Sequence, residues 1–384
     1  MHAEIKNINV SDASRDKANQ IIESCVHCGF CLATCPTYQL LGDELDSPRG
    51  RIYLIKSALE QNQFSLKSLR HMDRCLTCRS CETTCPSGVE YGQLLEIGRG
   101  IMEPKRGKLQ SLYRYIVRKT LLSPTVFRPI GYFYRHSKIT SKSVKPEKAN
   151  STVLLMSGCV QPSLAPNINH TIKNVLSKLN IEVLESSQTE CCGALDQHLS
   201  ATDDALKKVK RNIDHWTQQL ESGLESIISS ASGCGVMIKD YPKLFKSSDP
   251  YFQKALFVSS KTKDIAEFLS TRDLSGLNLS ELNVTYHEPC TMQHGQELGG
   301  LVESILSQFG YIKKTVKDSH ICCGSAGAYS IFETKISNQL RDNKIENLNA
   351  SKPNMIVTSN IGCLMHLQKG SSIPVKHWVE LLDV

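Results

Sequence analysis

From residue 151 onward, short strand-like runs alternate with amphipathic stretches. "STVLLM" leads into Cys159, and "NVTYHEP" leads into Cys290. Each is followed by a helical stretch and a second strand-like run, "IEVL" or "YIKKTV". A Cys-Cys-Gly turn comes next, with Cys191 and Cys192 before Gly193, or Cys322 and Cys323 before Gly324. Another helix and another apolar run, "SIISS" or "MIVTS", lead to Gly233-Cys234 or Gly362-Cys363. The first cysteine precedes the pair by 32 positions in both copies. Strands alternating with helices predict a parallel sheet covered on both faces. In such sheets the functional loops lie beyond the carboxyl ends of the strands, which is where all eight of these cysteines fall.

The first hundred residues have a helical period instead. Ser47 is placed to cap a helix that begins at Pro48, and Ile52, Ile55 and Leu59 then recur on one face. Val89, Leu94, Ile97 and Ile101 predict a second helix. Between the two halves, Leu109, Leu112, Tyr113, Ile116 and Val117 form an apolar stripe, with Arg114, Arg118 and Lys119 off it. The pattern predicts an α+β multidomain chain: a helical N-terminal domain (1–104), a helical linker (105–150) and two repeated α/β units with parallel sheets (151–280 and 281–384).

Charge adds to the picture of the linker. Residues 105–148 carry twelve Lys or Arg against one acid, Glu147, in a chain whose net formal charge is +7. The favoured expectation is a helix packed on a neighbour through its stripe, with a solvated basic face. The alternative is peripheral contact with anionic lipid, aided by Tyr132, Phe133 and Tyr134. No recognition motif accompanies the charge, which argues against nucleic acid. No run approaches the roughly 18 apolar residues of a membrane-spanning helix, and "MHAEIKNINVSDASRDK" lacks the apolar centre of a secretory signal. The expected location is the cytoplasm, with the inner face of the cytoplasmic membrane as the site of any lipid contact.

Sixteen cysteines in 384 residues change the picture most. Disulfides rarely persist in a reduced compartment, so clustered thiols point to metal or cluster ligation. Cys25, Cys28, Cys31 and Cys35 precede Pro36, and Cys75, Cys78, Cys81 and Cys85 precede Pro86, with identical spacing. This is the C-x2-C-x2-C-x3-C-P run of bacterial two-cluster ferredoxins, in which the fourth cysteine of each run serves the other cluster. Cys25, Cys28, Cys31 and Cys85 would then hold one [4Fe-4S] cluster, and Cys75, Cys78, Cys81 and Cys35 the second. Zinc usually takes paired C-x2-C motifs rather than such triplets. His27, between two ligands, is expected at the surface. Adjacent cysteines chelate one metal poorly, but a Cys-Cys-Gly turn can aim both thiols at a cluster. An inert buried turn is the competing reading. Cys159, Cys191, Cys192, Cys234, Cys290, Cys322, Cys323 and Cys363 are therefore candidates for a further cluster or zinc.

The Cys-Cys-Gly repeats resemble the cysteine-rich domain of heterodisulfide reductase subunits. Together with "CVHCGFCLATCPTYQLLGDELDSPRGRIYLIK" and "CLTCRSCETTCPSGVEYGQLLEIGR", the chain resembles the iron-sulfur subunits of glycolate oxidase. The resemblance implies partner subunits that bind FAD and oxidise glycolate to glyoxylate, while this chain carries electrons toward a membrane quinone or another acceptor. It also implies that the chain is inactive alone. The alternatives are a sister subunit serving lactate or glycerol-3-phosphate, or a thiol-disulfide enzyme like heterodisulfide reductase. In that reductase the last cysteine of each repeat begins a Cys-x-x-Cys; here the partner positions are Met237 and His366. With four cysteines per repeat, an ordinary cluster, zinc and an empty site stay open. No catalytic residue is assigned, and no dinucleotide fingerprint follows a strand; "CCGSAGAYS" reads as a turn before a helix.

Overall fold

The computed structural model describes residues 12–61, 64–137, 139, 145–146, 148–278, 283–311 and 313–382. Helix Pro48–Gln61 starts where expected: Ser47 Oγ accepts the Gly50 N–H at 3.0 Å. It buries Ile52, Ile55 and Leu59 against Leu94, Leu95 and Met102 of helix Tyr91–Met102. The two helices touch at Gly98, where a Cβ would stand 2.6 Å from Ile55 Cγ1. Ile21 and Ile22 of helix Asp12–Ser24, and Met72 of helix Leu66–Asp73, complete this small core.

The second half contains two parallel sheets. Strands β1 (Ser151–Met156), β2 (Ile181–Leu184), β3 (Ser226–Ser229) and β4 (Thr262–Asp264) lie in the order β2-β1-β3-β4. Strands β5 (Val284–His287), β6 (Met355–Thr358) and β7 (Val375–His377) lie in the order β5-β6-β7. Met156 pairs with Ser229, and His287 with Thr358, so the two sheets share a register at their carboxyl ends. β3, β5 and β6 are buried along their whole lengths, as coverage on both faces requires. One apolar cluster runs through both units, from Val153, Ile172 and Phe268 to Val284, Ile356 and Trp378.

The architecture is the expected α+β arrangement, with three local differences. "YIKKTV" forms no strand among its described residues: of these, Tyr311 and Val316 pack on the core, and Lys313 and Lys314 between them do not. The second sheet therefore has three strands. Conversely, β4 and β7 were not anticipated. Each is three residues long with a lysine in the middle, and each runs directly into a capping box, Asp264 with Glu267 and His377 with Glu380.

The linker turns the favoured expectation around. Helix Lys108–Leu122 presents its apolar stripe to solvent: Leu109 is 85% exposed, and Leu112, Tyr113 and Ile116 are each at least half exposed. Its arginines face inward, while Lys108 and Lys119 are exposed. Arg118 is buried against Asp196 (2.6 Å) and Asp204 (2.8 Å), and Lys119 reaches Asp204 at 2.9 Å. Arg114 lies 3.5 Å from both Asp73 and Glu103. Hydrogen bonds from Lys119 and Arg118 hold the Asp204 carboxyl down to about 2. Helix Pro124–Phe133 then rests on segment Gln161–Leu164 through Phe127 and Gly131. No helix among the described residues is long and apolar enough to cross a membrane.

Candidate metal centres

The two N-terminal cysteine runs have the same backbone. His27 and Gly29 take positive φ in the first, and Thr77 and Arg79 in the second. Left-handed residues at alternate positions turn the chain tightly and can point its amide groups inward, so that the sulfurs of one run can converge. Gly29 adopts φ +86° without strain, whereas Arg79 holds φ +60° while pairing with Asp240 of the first repeat. Cys28 is exposed and Cys25 buried, while Cys75, Cys78 and Cys81 are all buried.

Cys35 leaves its own run. It lines one small cavity together with Cys75, Cys78 and Cys81, beside Arg51 and Tyr91. Tyr91 O–H donates to Cys75 Sγ at 3.6 Å. Four thiols around one hollow are a donor set that could hold an iron-sulfur cluster, and a hydrogen bond to one sulfur is the kind of contact that tunes a cluster's potential. Burial pushes the Cys78 and Cys81 thiols well up, so ligation there must displace protons. Arg51 is fully buried; it donates to the His71 carbonyl (2.7 Å) and to Thr37 Oγ1 (3.1 Å). Burial opposes its charge, but Tyr91, Cys75, Cys35 and Asp46 together hold it protonated.

In the first repeat Cys159, Cys191, Cys192 and Cys234 form one hydrogen-bonded chain of thiols. Cys191 is the thiol that ionises first, because Cys159 and Cys192 donate to it and Lys208 adds charge. In the second repeat Cys290 Sγ lies 3.7 Å from Cys322 Sγ, and the series continues through Cys323 to Cys363. There the mutual hydrogen bonds and burial leave all four thiols pushed up. Gly193 and Gly324 close the two turns at φ +90° and +88°.

These sites do not stand apart. A cavity of about 1560 Å³ lies between the N-terminal domain and the repeats. Cys75 and Cys78 line one side; the four thiols of the first repeat line another, with Cys290, Cys322 and Cys363 beyond. Cys78 packs in one cluster with Cys322, Tyr329 and Leu340. Thr83 Oγ1 meets His294 Nδ1 at 2.8 Å, and Gln197 donates to Glu96 at 2.9 Å, so polar contacts hold the same boundary.

Comparison with known proteins agrees with this arrangement. The 4Fe-4S dicluster domain family matches residues 21–89, and the cysteine-rich domain family matches residues 153–239 and 284–368. The glycolate oxidase iron-sulfur subunit of Escherichia coli (strain K12) is 45% identical over 96% of this chain and 95% of its own length. The chain belongs to the glycolate oxidase iron-sulfur subunit family. Within that family, the probable glycolate oxidase iron-sulfur subunit of Bacillus subtilis (strain 168) is 29% identical over 90% of the chain. Lactate utilization protein A of the same organism, 24% identical over 60% of the chain, is a more distant relative.

For this family member, sequence reasoning missed several groups at the thiols. His366 lines the large cavity, but its Nε2 is engaged elsewhere, 3.1 Å from Ser337 Oγ and 3.2 Å from the Ser337 carbonyl, and Ser337 Oγ donates to the Gly324 carbonyl at 2.7 Å. It braces the Cys-Cys-Gly turn through Ser337. Met237 is buried in the apolar cluster that contains Cys192. The histidine that does reach the second set is His287, at the end of β5. Burial holds its imidazole down to about 3, which keeps it neutral. Lys344, also buried, donates to the Asp318 carbonyl at 2.6 Å and sets a positive charge near the same thiols. His27 is half-buried, and burial lowers its pKa. Asp43, Asp46 and His71 also converge, but Arg51 and Arg74 neutralise Asp46.

Proposed function

We propose that this chain is the electron-carrying subunit of a complex that oxidises glycolate to glyoxylate. One observation carries the reading: the thiol sets run from the exposed Cys28 inward to a single cavity that Cys78 shares with both cysteine-rich repeats. Residues 1–104 hold two [4Fe-4S] clusters. Cys25, Cys28, Cys31 and Cys85 serve one, and Cys75, Cys78, Cys81 and Cys35 serve the other; the shared hollow of the second set supports the crossing. Residues 105–150 are the bridge, and 151–280 and 281–384 are the two repeats, each holding a further cluster or zinc. When bound, clusters supply one-electron carriers, which a two-electron flavin needs if it is to reach a one-electron path. The chain itself sets spacing, burial and hydrogen bonding around them.

FAD resides on partner subunits. Val26 (68% exposed) and Phe30 (61% exposed) surround Cys28, and this apolar rim is where a flavin partner delivers electrons. The acceptor is a membrane quinone or another carrier. The exposed stripe of Leu109, Leu112 and Ile116, with Phe133 and Tyr134 beyond it, rests on anionic lipid at the inner face of the cytoplasmic membrane. Exposed Lys105, Lys108, Arg128 and Arg135 supply the complementary charge.

The test is reduction by substrate. The chain purified alone and anaerobically should show no glycolate turnover. With its flavoprotein partners added, glycolate should bleach its visible absorbance. Turnover by the chain alone overturns the reading. Bleaching by lactate or glycerol-3-phosphate but not by glycolate keeps the electron-carrying role and replaces the substrate.

A further inference from the structure

The second repeat contains a donor that the first lacks. His287 stands three residues before Cys290, and Met156 stands three residues before Cys159, in the same register of their sheets. A ring nitrogen of His287 and the Sγ atoms of Cys323 and Cys363 all lie within 4.8 Å of one another, and all three residues are buried. Nδ1 is held by Thr358 Oγ1 at 3.0 Å. Coordinating histidines commonly give one nitrogen to the metal and use the other in an orienting hydrogen bond, which makes Nε2 the nitrogen available here. Met156 instead packs in the apolar cluster with Met237 and Cys192. His366, at the sequence position of the missing fifth cysteine, is occupied with Ser337.

We propose that His287 is the fifth ligand of the second repeat, binding through Nε2 the same metal group as Cys323 and Cys363, with Cys290 and Cys322 completing the set. The proposal rests on the reading that this repeat holds a metal group. Its consequence is chemical asymmetry between the repeats. A neutral imidazole in place of a thiolate removes one negative charge from the donor set. The group should then be easier to reduce than an all-thiolate one, the direction seen when histidine replaces cysteine in Rieske centres.

The experiment uses the full chain, isolated anaerobically with its partners after labelling with 15N-histidine. Iron, zinc and sulfide are counted in the parent protein and in a Cys322→Ser/Cys323→Ser variant. If the second-repeat metal is paramagnetic after reduction, pulsed EPR reads nitrogen coupling; if it is zinc, X-ray absorption reads nitrogen beside sulfur in its shell. One directly bound histidine nitrogen is expected. It should vanish in His287→Ala and His287→Cys and persist in His366→Gln. His287→Cys should retain the metal and lower its reduction potential, while His287→Ala should weaken metal retention by about tenfold or more. An all-sulfur shell around a loaded second-repeat metal, or a nitrogen signal that survives in His287→Cys, overturns the proposal. Equal metal counts in the parent and the double variant would overturn it together with the reading beneath it, a result distinct from either of those.

Discussion

The two cysteine-rich repeats share a spacing, a strand register and a Cys-Cys-Gly turn, yet they surround their thiols differently. The first set lies beside Met237 in an apolar cluster, and one of its thiols, Cys191, ionises readily. The second has four thiols pushed up in pKa, a neutral histidine, a buried lysine and, across the domain boundary, Cys78. Spacing determines how four sulfurs converge. The strand-end residue and the neighbouring domain determine what those sulfurs can do. On this comparison the second repeat sets its thiols in direct packing with Cys78, whereas the first touches the N-terminal domain through Asp240 and Gln197 and its thiols face Cys78 across the shared cavity.

The largest effect should separate the repeats by electron flow. Cys78→Ser and Cys322→Ser should reduce glycolate-driven quinone reduction to background, while a dye that accepts electrons from the flavin remains active. Cys191→Ser should retain measurable quinone reduction. Equal loss from all three would break the comparison. A smaller effect should appear in stability. Gly193→Ala pays mainly for its left-handed backbone, about 1 kcal/mol, since the nearest atom to its Cβ, Val209 Cγ2, is 3.3 Å away. Gly324→Ala adds a clash with the Ser337 carbonyl, 2.5 Å from the new Cβ, and should destabilise by roughly 3 kcal/mol or more. Denaturant midpoints of the two variants measure the difference.

Smaller again is the effect of the Ser337 brace. His366→Ala should cost about 1–3 kcal/mol through the hydrogen bonds it leaves unmade at Ser337, with metal content unchanged. Metal loss in that variant would move the ligand from His287 to His366. Met237→Leu should change stability by less than about 1.5 kcal/mol. The smallest stability effect belongs to the linker surface. Leu109→Asp should change folding by within roughly 0.5 kcal/mol, yet weaken sedimentation with phosphatidylglycerol vesicles. That association should also fall as salt rises, because exposed charges are screened within about 10 Å at 0.1 M.

Much of this was legible in the sequence for a physical reason. Thiol spacing is local, and so are helix caps such as Ser47 and strand runs such as "SIISS". What was missed depends on distant partners. A stripe of Leu109, Leu112 and Ile116 has the same period whether it faces core or solvent. Asp73, Asp196 and Asp204, from outside the segment, draw its arginines inward and turn the stripe out. β4 and β7 are too short and too polar at their centres to read as strands, and "YIKKTV" reads as one from its β-branched and aromatic residues and from its place in the repeat, opposite "IEVL". His287 had a signal in the repeat itself: superposing "TYHEPC" on "LLMSGC" sets a histidine opposite a methionine next to the thiols.

The outward stripe has a practical consequence. Contiguous apolar surface of this kind promotes association when nothing covers it. A preparation of the chain without partners or lipid should therefore form soluble oligomers or precipitate, and mild detergent should return it to a monomer. Poor behaviour in isolation would then come from a correctly folded surface, and the remedy is to supply what covers that surface rather than to refold the chain.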